Sequence, residues 1–192
     1  MSFQGDDSTS FATVQIYAFF EDGNARQVRA LAPSCEVQIE TSLEDLGHVD
    51  SRESLQLIEP VLRNDGRHMG MAIAAIAMHA GDMAMDRLVS LLEDRSNRDA
   101  QKDSLFWMGQ VRIAEAAPVL RRTALQHDDA ELRQQAVFAY SQSTASDRHT
   151  MIIDVIEDRR LPYDDRKHAL FWLAQTDSSE AISYLESILM DR

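Results

Sequence analysis

A short motif recurs through the second half of the chain at an almost constant step, and no other feature restricts the fold as strongly. Ser104-Leu105-Phe106-Trp107-Met108-Gly109-Gln110, Ala136-Val137-Phe138-Ala139-Tyr140-Ser141-Gln142 and Ala169-Leu170-Phe171-Trp172-Leu173-Ala174-Gln175 each open small-aliphatic-Phe and close small-Gln. Ala72-Ile73-Ala74-Ala75-Ile76-Ala77-Met78 is a weaker copy that lacks both the Phe and the Gln. The starts at 72, 104, 136 and 169 lie 32, 32 and 33 residues apart. A period in this range is the mark of stacked helical hairpins, because one hairpin alone cannot bury its apolar surface.

A second regularity is independent of the motif. Thirteen residues after each start lie Met85, Ala117, His149 and Ile182, and sixteen after lie Leu88, Leu120, Ile152 and Leu185. Nineteen after lie Leu91, Thr123, Val155 and Ile188, and twenty after lie Leu92, Ala124, Ile156 and Leu189. These offsets share one helical face. Each repeat therefore reads as a first helix apolar on nearly all sides, a short turn, and a second helix with one apolar stripe. Asp99, Asp129 and Asp164 precede the first helices and suit the capping of free N–H groups. Ala80-Gly81-Asp82, Thr144-Ala145-Ser146-Asp147 and Thr176-Asp177-Ser178-Ser179 supply turns between paired helices. Pro118 falls early in its helix, where a missing N–H does least harm.

Residues of about 67–190 resemble HEAT repeats, in particular the short bacterial type seen in phycobilisome-lyase-like repeat proteins. Arg166-Lys167-His168-Ala169-Leu170-Phe171-Trp172-Leu173-Ala174-Gln175, followed by Glu180-Ala181-Ile182-Ser183-Tyr184-Leu185, carries most of the likeness. It is similar to bacterial HEAT-repeat proteins of uncharacterised function, some of them exported. The resemblance implies an α-solenoid of about four HEAT-like hairpins. It does not imply one activity, since such arrays host many binding roles.

The first 66 residues read differently, as a strand-containing cap ahead of the array at 67–192. Thr13 to Phe20 is rich in β-formers, Glu21-Asp22-Gly23-Asn24 is a turn signal, and Ala25 to Leu31 resumes, so a hairpin is expected. After Pro33, Cys35-Glu36-Val37-Gln38-Ile39-Glu40 alternates and predicts a third strand, making a short meander. Asp50-Ser51-Arg52-Glu53 fits a capping box opening a helix through Leu62, which Asn64-Asp65-Gly66 ends. The order of hairpin, Ala32-Pro33-Ser34-Cys35, strand and a helix with Ser54-Leu55 also resembles the N-terminal part of the same bacterial proteins.

A formal net charge of −13 argues against DNA, RNA or anionic membranes as partners, because basic patches supply most of that affinity. No apolar run reaches membrane-span length, and the start MSFQGDDSTS lacks a signal-peptide pattern. Met1 as native start points to the cytoplasm; a removed leader points to the periplasm or export. The lone Cys35 can form no internal disulfide, and as a strand residue it reads as a small hydrophobe.

No catalytic, cofactor or metal constellation emerges. His48, His68, His79, His127, His149 and His168 make no helical ligand pair, and no phosphate loop or nucleophile elbow is present. Phe106, Trp107, Phe138, Phe171 and Trp172 share repeat offsets and read as core packing. Gln110, Gln142 and Gln175 read as side-chain hydrogen-bond partners of the turn between paired helices. Asp128-Asp129 and Asp164-Asp165 read as caps and solvated corners.

What remains is the outward side of the second helices, expected to line the concave face of a solenoid. Asp86, Ser90, Pro118, Arg122, Thr150, Asp154, Ser183 and Ser187 fall there, with Arg122 and Asp154 the strongest polar anchors. The expected function is a non-enzymatic scaffold that binds a protein or peptide segment through Asp86, Ser90, Arg122, Asp154 and Ser187. The alternative is a lyase-like or chromophore-attachment factor on the same repeat.

Overall fold

The computed structural model describes residues 14–39, 42–63, 66–176 and 178–190. It is mainly helical and divides into two compact units, Met1–Ala80 and Gly81–Arg192.

In the first unit β1 (Gln15–Glu21) and β2 (Asn24–Leu31) form the expected antiparallel hairpin, running from Gln15 opposite Leu31 to Glu21 opposite Asn24. Asp22 and Gly23 turn it with φ of 50° and 75°, the two left-handed residues that match the twist of a tight hairpin. Ala25 and Val28 of β2 are buried. They sit on the side packed by a 3-10 segment (Glu59–Arg63) and by α2 (Arg67–Ala77).

The meander does not form. Cys35 turns back through its N–H to the Ala32 carbonyl at 2.9 Å, residues 35–39 adopt no strand, and residue 40 lies outside the described residues. Alternation chooses a face for a chain but supplies no backbone partner. α1 (Ser51–Ile58) opens as expected, with Asp50 Oδ1 accepting from the Arg52 N–H at 2.8 Å and the Glu53 N–H at 3.4 Å. It ends earlier than expected, because Pro60 has no N–H for the next helical bond and the chain tightens to 3-10. The predicted stop at Asn64-Asp65 lies outside the described residues.

The second unit holds α3 (Asp82–Glu93), α4 (Arg98–Val111), α5 (Ile113–Gln126), α6 (Ala130–Ser141), α7 (Arg148–Glu157), α8 (Tyr163–Ala174) and α9 (Ser179–Met190). Each packs on the next in sequence, and α4 also touches α6, α6 touches α8, and α5 touches α7. Leu105, Met108, Leu120, Leu132, Val137, Tyr140, Ile152 and Leu173 form the core between them.

Side-chain pairs join residues 29 to 33 positions apart, close to the step of the motif. Arg98 meets Asp129 and Glu131, Lys102 meets Glu131 at 2.6 Å, Arg121 meets Asp154, and Arg133 meets Asp165 at 2.6 Å. Gly109 is where α4 and α6 come closest: a Cβ there would stand 2.4 Å from the Ala139 carbonyl oxygen. Only the absence of a side chain permits that approach.

Three local expectations change. Of the three aspartates expected to cap the motif helices only Asp129 does so, accepting from the Glu131 N–H at 2.9 Å, while Asn97 caps α4 through the Ala100 N–H at 3.0 Å. Asp165 is buried at 3% exposure and is no solvated corner. Arg112 is the lone residue between α4 and α5, so α5 starts at Ile113 and Pro118 lies inside it rather than in its first turn. Arg112 itself is buried, donating to the Gly81 carbonyl at 2.9 Å and paired with Glu115 at 2.6 Å.

Candidate functional site

The recurrent aromatic residues form a surface ridge across α4, α6 and α8. The Phe106 and Phe138 rings stack with centroids 6.2 Å apart, and Phe138 meets Trp172 at 4.7 Å. Trp107 and Phe171 close edge-on against Phe106 and Trp172 at 5.2 and 5.1 Å. Phe106, Trp107, Phe138 and Trp172 are half-buried and Phe171 is 54% exposed. The core reading of these rings is therefore corrected. A shared offset shows that residues occupy one layer, and a periodic ridge has the same signature as a periodic core. The interior is filled instead by Leu105 and Met108, Val137 and Tyr140, and Leu173.

Beside the ridge lies an open depression of about 430 Å³ lined by Lys102, Glu131, Gln134, Gln135, Phe138, His168 and Trp172. Trp172 Nε1 donates to His168 Nε2 at 3.0 Å, which places the ring proton of neutral His168 on Nδ1. That nitrogen is buried with no hydrogen-bond partner among the described residues. Burial lowers the His168 pKa, the nearby Asp165 carboxylate opposing it. Asp165 is itself held by Arg133 and by Gln134 Nε2 at 2.8 Å. Lys102 and Arg98 hold the Glu131 carboxyl below its ordinary range, while burial, aided by Asp99, raises that of Asp103.

Exposed polar rows flank the rings at repeat spacing. Asp99, Glu131 and Asp164 stand in the first turns of α4, α6 and α8, and Gln110, Gln142 and Gln175 stand at their far ends. The glutamine side chains do not bind the turn carbonyls as expected. Gln142 Nε2 reaches only Ser141 Oγ at 3.3 Å, whereas Ser143 Oγ donates to the Tyr140 carbonyl at 2.7 Å and Thr176 Oγ1 to the Leu173 carbonyl at 2.6 Å. A hydroxyl two residues beyond the helix end reaches back without straining the chain. That capping hydroxyl was visible as a small polar residue following each of those two glutamines.

The second-helix stripe lies on α3, α5, α7 and α9. Asp86, Ser90, Arg122 and Ser187 are exposed and Asp154 is half-buried. Asp154 is engaged by Arg121, Ser90 Oγ accepts from Arg87 at 3.2 Å, and Ser187 Oγ donates to the Tyr184 carbonyl at 2.7 Å. Arg122 forms no ion pair among the described residues. Cys35 is exposed in a loop rather than serving as a small hydrophobe in a strand. Among the described residues no group of three or more His, Cys, Asp or Glu could hold a metal ion, and no helix is long and apolar enough to cross a membrane. Comparison of the chain with protein-family models, with curated proteins and with solved structures finds no match.

Proposed function

We propose that the chain is a non-enzymatic interaction scaffold built from stacked HEAT-like hairpins, and that it holds an extended protein segment across the aromatic ridge of α4, α6 and α8. The observation that carries this reading is the half-buried row Phe106–Phe138–Trp172, with a depression beside it and polar residues on both flanks. Half-exposed aromatic rings offer large contact area at small entropic loss, which is why they dominate recognition surfaces. Packed helices stand about 8–10 Å apart and an extended chain rises about 3.3 Å per residue, so a ligand would spend roughly three residues per helix. The exposed glutamines at Gln110, Gln142 and Gln175 are suited to the main-chain amides of such a segment. The stripe through Asp86, Ser90, Arg122, Asp154 and Ser187 is the second surface available to the same ligand class.

Display selection of short peptides on the chain tests the proposal. The expected outcome is a binder family that loses affinity on Phe138→Ser or Trp172→Ser. Loss instead on Arg122→Glu and Asp154→Lys moves the site to the second helices. Binders indifferent to all four, or none, would sink the scaffold reading.

A further inference from the structure

Among the described residues, the ion pairs between successive hairpins in the second unit run in one direction. Arg95, Arg98 and Lys102 reach forward to Asp128, Asp129 and Glu131, and Arg121 and Arg133 reach forward to Asp154 and Asp165. In each of these pairs the earlier hairpin supplies the cation and the later one the carboxylate. The α8–α9 hairpin carries Arg166 at the position of Arg133, and Lys167 at that of Lys102 and Gln134. Neither has a carboxylate partner among the described residues, and Arg166 Nε is buried with no hydrogen bond.

Burial at equivalent positions points the same way. Gly109 and Ser141 are buried where α4 meets α6 and α6 meets α8, but Ala174 at that position of α8 is exposed. Thr123 and Val155 are buried, yet their counterpart Ile188 is 37% exposed; Ala124 is buried, yet Leu189 is 71% exposed. The apolar layer and the unpaired cations thus coincide on α8 and α9.

We propose that this α8–α9 face docks one helix of a partner protein, with a carboxylate set against Arg166 and Lys167 and apolar side chains set against Ala174, Ile188 and Leu189. The occupant is one helix because α4 and α5 both touch α6, and α6 and α7 both touch α8; the next layer begins in the groove of a hairpin. It is acidic by the direction of the existing pairs. A second copy joined through the same face would set Arg166 against Arg166 on chains that each carry −13, which opposes self-pairing. This site adjoins the ridge at Phe171, which shares a face of α8 with Lys167 and Ala174, and makes no use of Phe138.

The probe is a lactam-stapled, fluorescein-labelled peptide with the sequence Leu161–Thr176, a helix whose own aspartate already meets Arg133 inside the chain. Anisotropy titration with the intact chain is expected to show saturable binding. Arg166→Glu and, separately, Ala174→Arg weaken it about tenfold or more, each variant keeping its helical circular dichroism. A peptide carrying Asp165→Lys recovers affinity for the Arg166→Glu chain, and Phe138→Ser leaves binding unchanged. Binding that is absent, that ignores Arg166→Glu and Ala174→Arg, or that follows Phe138→Ser overturns the proposal. So does light scattering that shows a dimer dispersed by Ala174→Arg, which would make the occupant a second copy.

Discussion

Arg133 and Asp165 form a buried pair across the α6–α8 joint, with Nε donating at 2.7 Å and Nη2 standing 2.6 Å from the same carboxylate oxygen. Arg133 Nη1 also donates to the His127 and Asp128 carbonyls at 2.6 and 2.9 Å, so one side chain closes α5 and fastens α8. Removing one member strands the other in the interior. Asp165→Ala is expected to lower stability by about 3–5 kcal/mol in urea unfolding, while Arg133→Met with Asp165→Leu recovers a large part. A loss below about 1 kcal/mol would show the pair to be as dispensable as a surface ion pair.

Gly109 tests the α4–α6 approach. Alanine is the better helix former by about 1 kcal/mol, so in an open helix Gly109→Ala would stabilise. Here the added carbon meets backbone at 2.4 Å. The expected result is destabilisation by about 1–3 kcal/mol from overpacking, read as a lower Tm. A Tm that rises would mean the helices separate freely at that point.

Tyr140 gives an alkaline signature. Burial first, then its 2.9 Å hydrogen bond to Asp147 Oδ1, pushes its pKa up to about 12. The neutral phenol is the form the fold favours. Its contribution is complete below the unfolded value near 10 and is lost as pH rises through about 12. Absorbance titration should show a late tyrosine phase, and Tyr140→Phe should remove its latest part, leaving the smaller upward shift that burial and Glu157 give Tyr184. Simultaneous ionisation of all tyrosines would contradict the burial.

His168 gives an acid signature on the aromatic ridge. Burial depresses its pKa, so the folded state favours the neutral ring that accepts from Trp172 Nε1. That stability is present above the unfolded value of about 6.5 and disappears as pH falls through the lower folded value. Trp172 fluorescence should change in that window and His168→Gln should abolish the change. A Trp172 titration that survives in His168→Gln would assign it to another group.

The helical character of the second half, the hairpin at Gln15–Leu31 and the helix start at Asp50 were legible in the chain because each depends on local chemistry: periodicity, a left-handed turn, a side chain within reach of free N–H groups. The candidate site was half legible. Its residues announced themselves at Phe106, Phe138 and Trp172, but their exposure did not.

By itself the sequence determined that a short motif recurs every 32 or 33 residues and which residues stand in equivalent places in it. Only the tertiary structure decided which equivalent places face water. Whether Phe138 is core or ridge, or Asp165 a corner or a buried anchor, depends on how far neighbouring helices rotate about their axes. That rotation is set by residues 30 to 32 positions away, through the bare Gly109 against the Ala139 backbone and Arg133 against Asp165. No local pattern encodes it, because the same period is satisfied at every rotation.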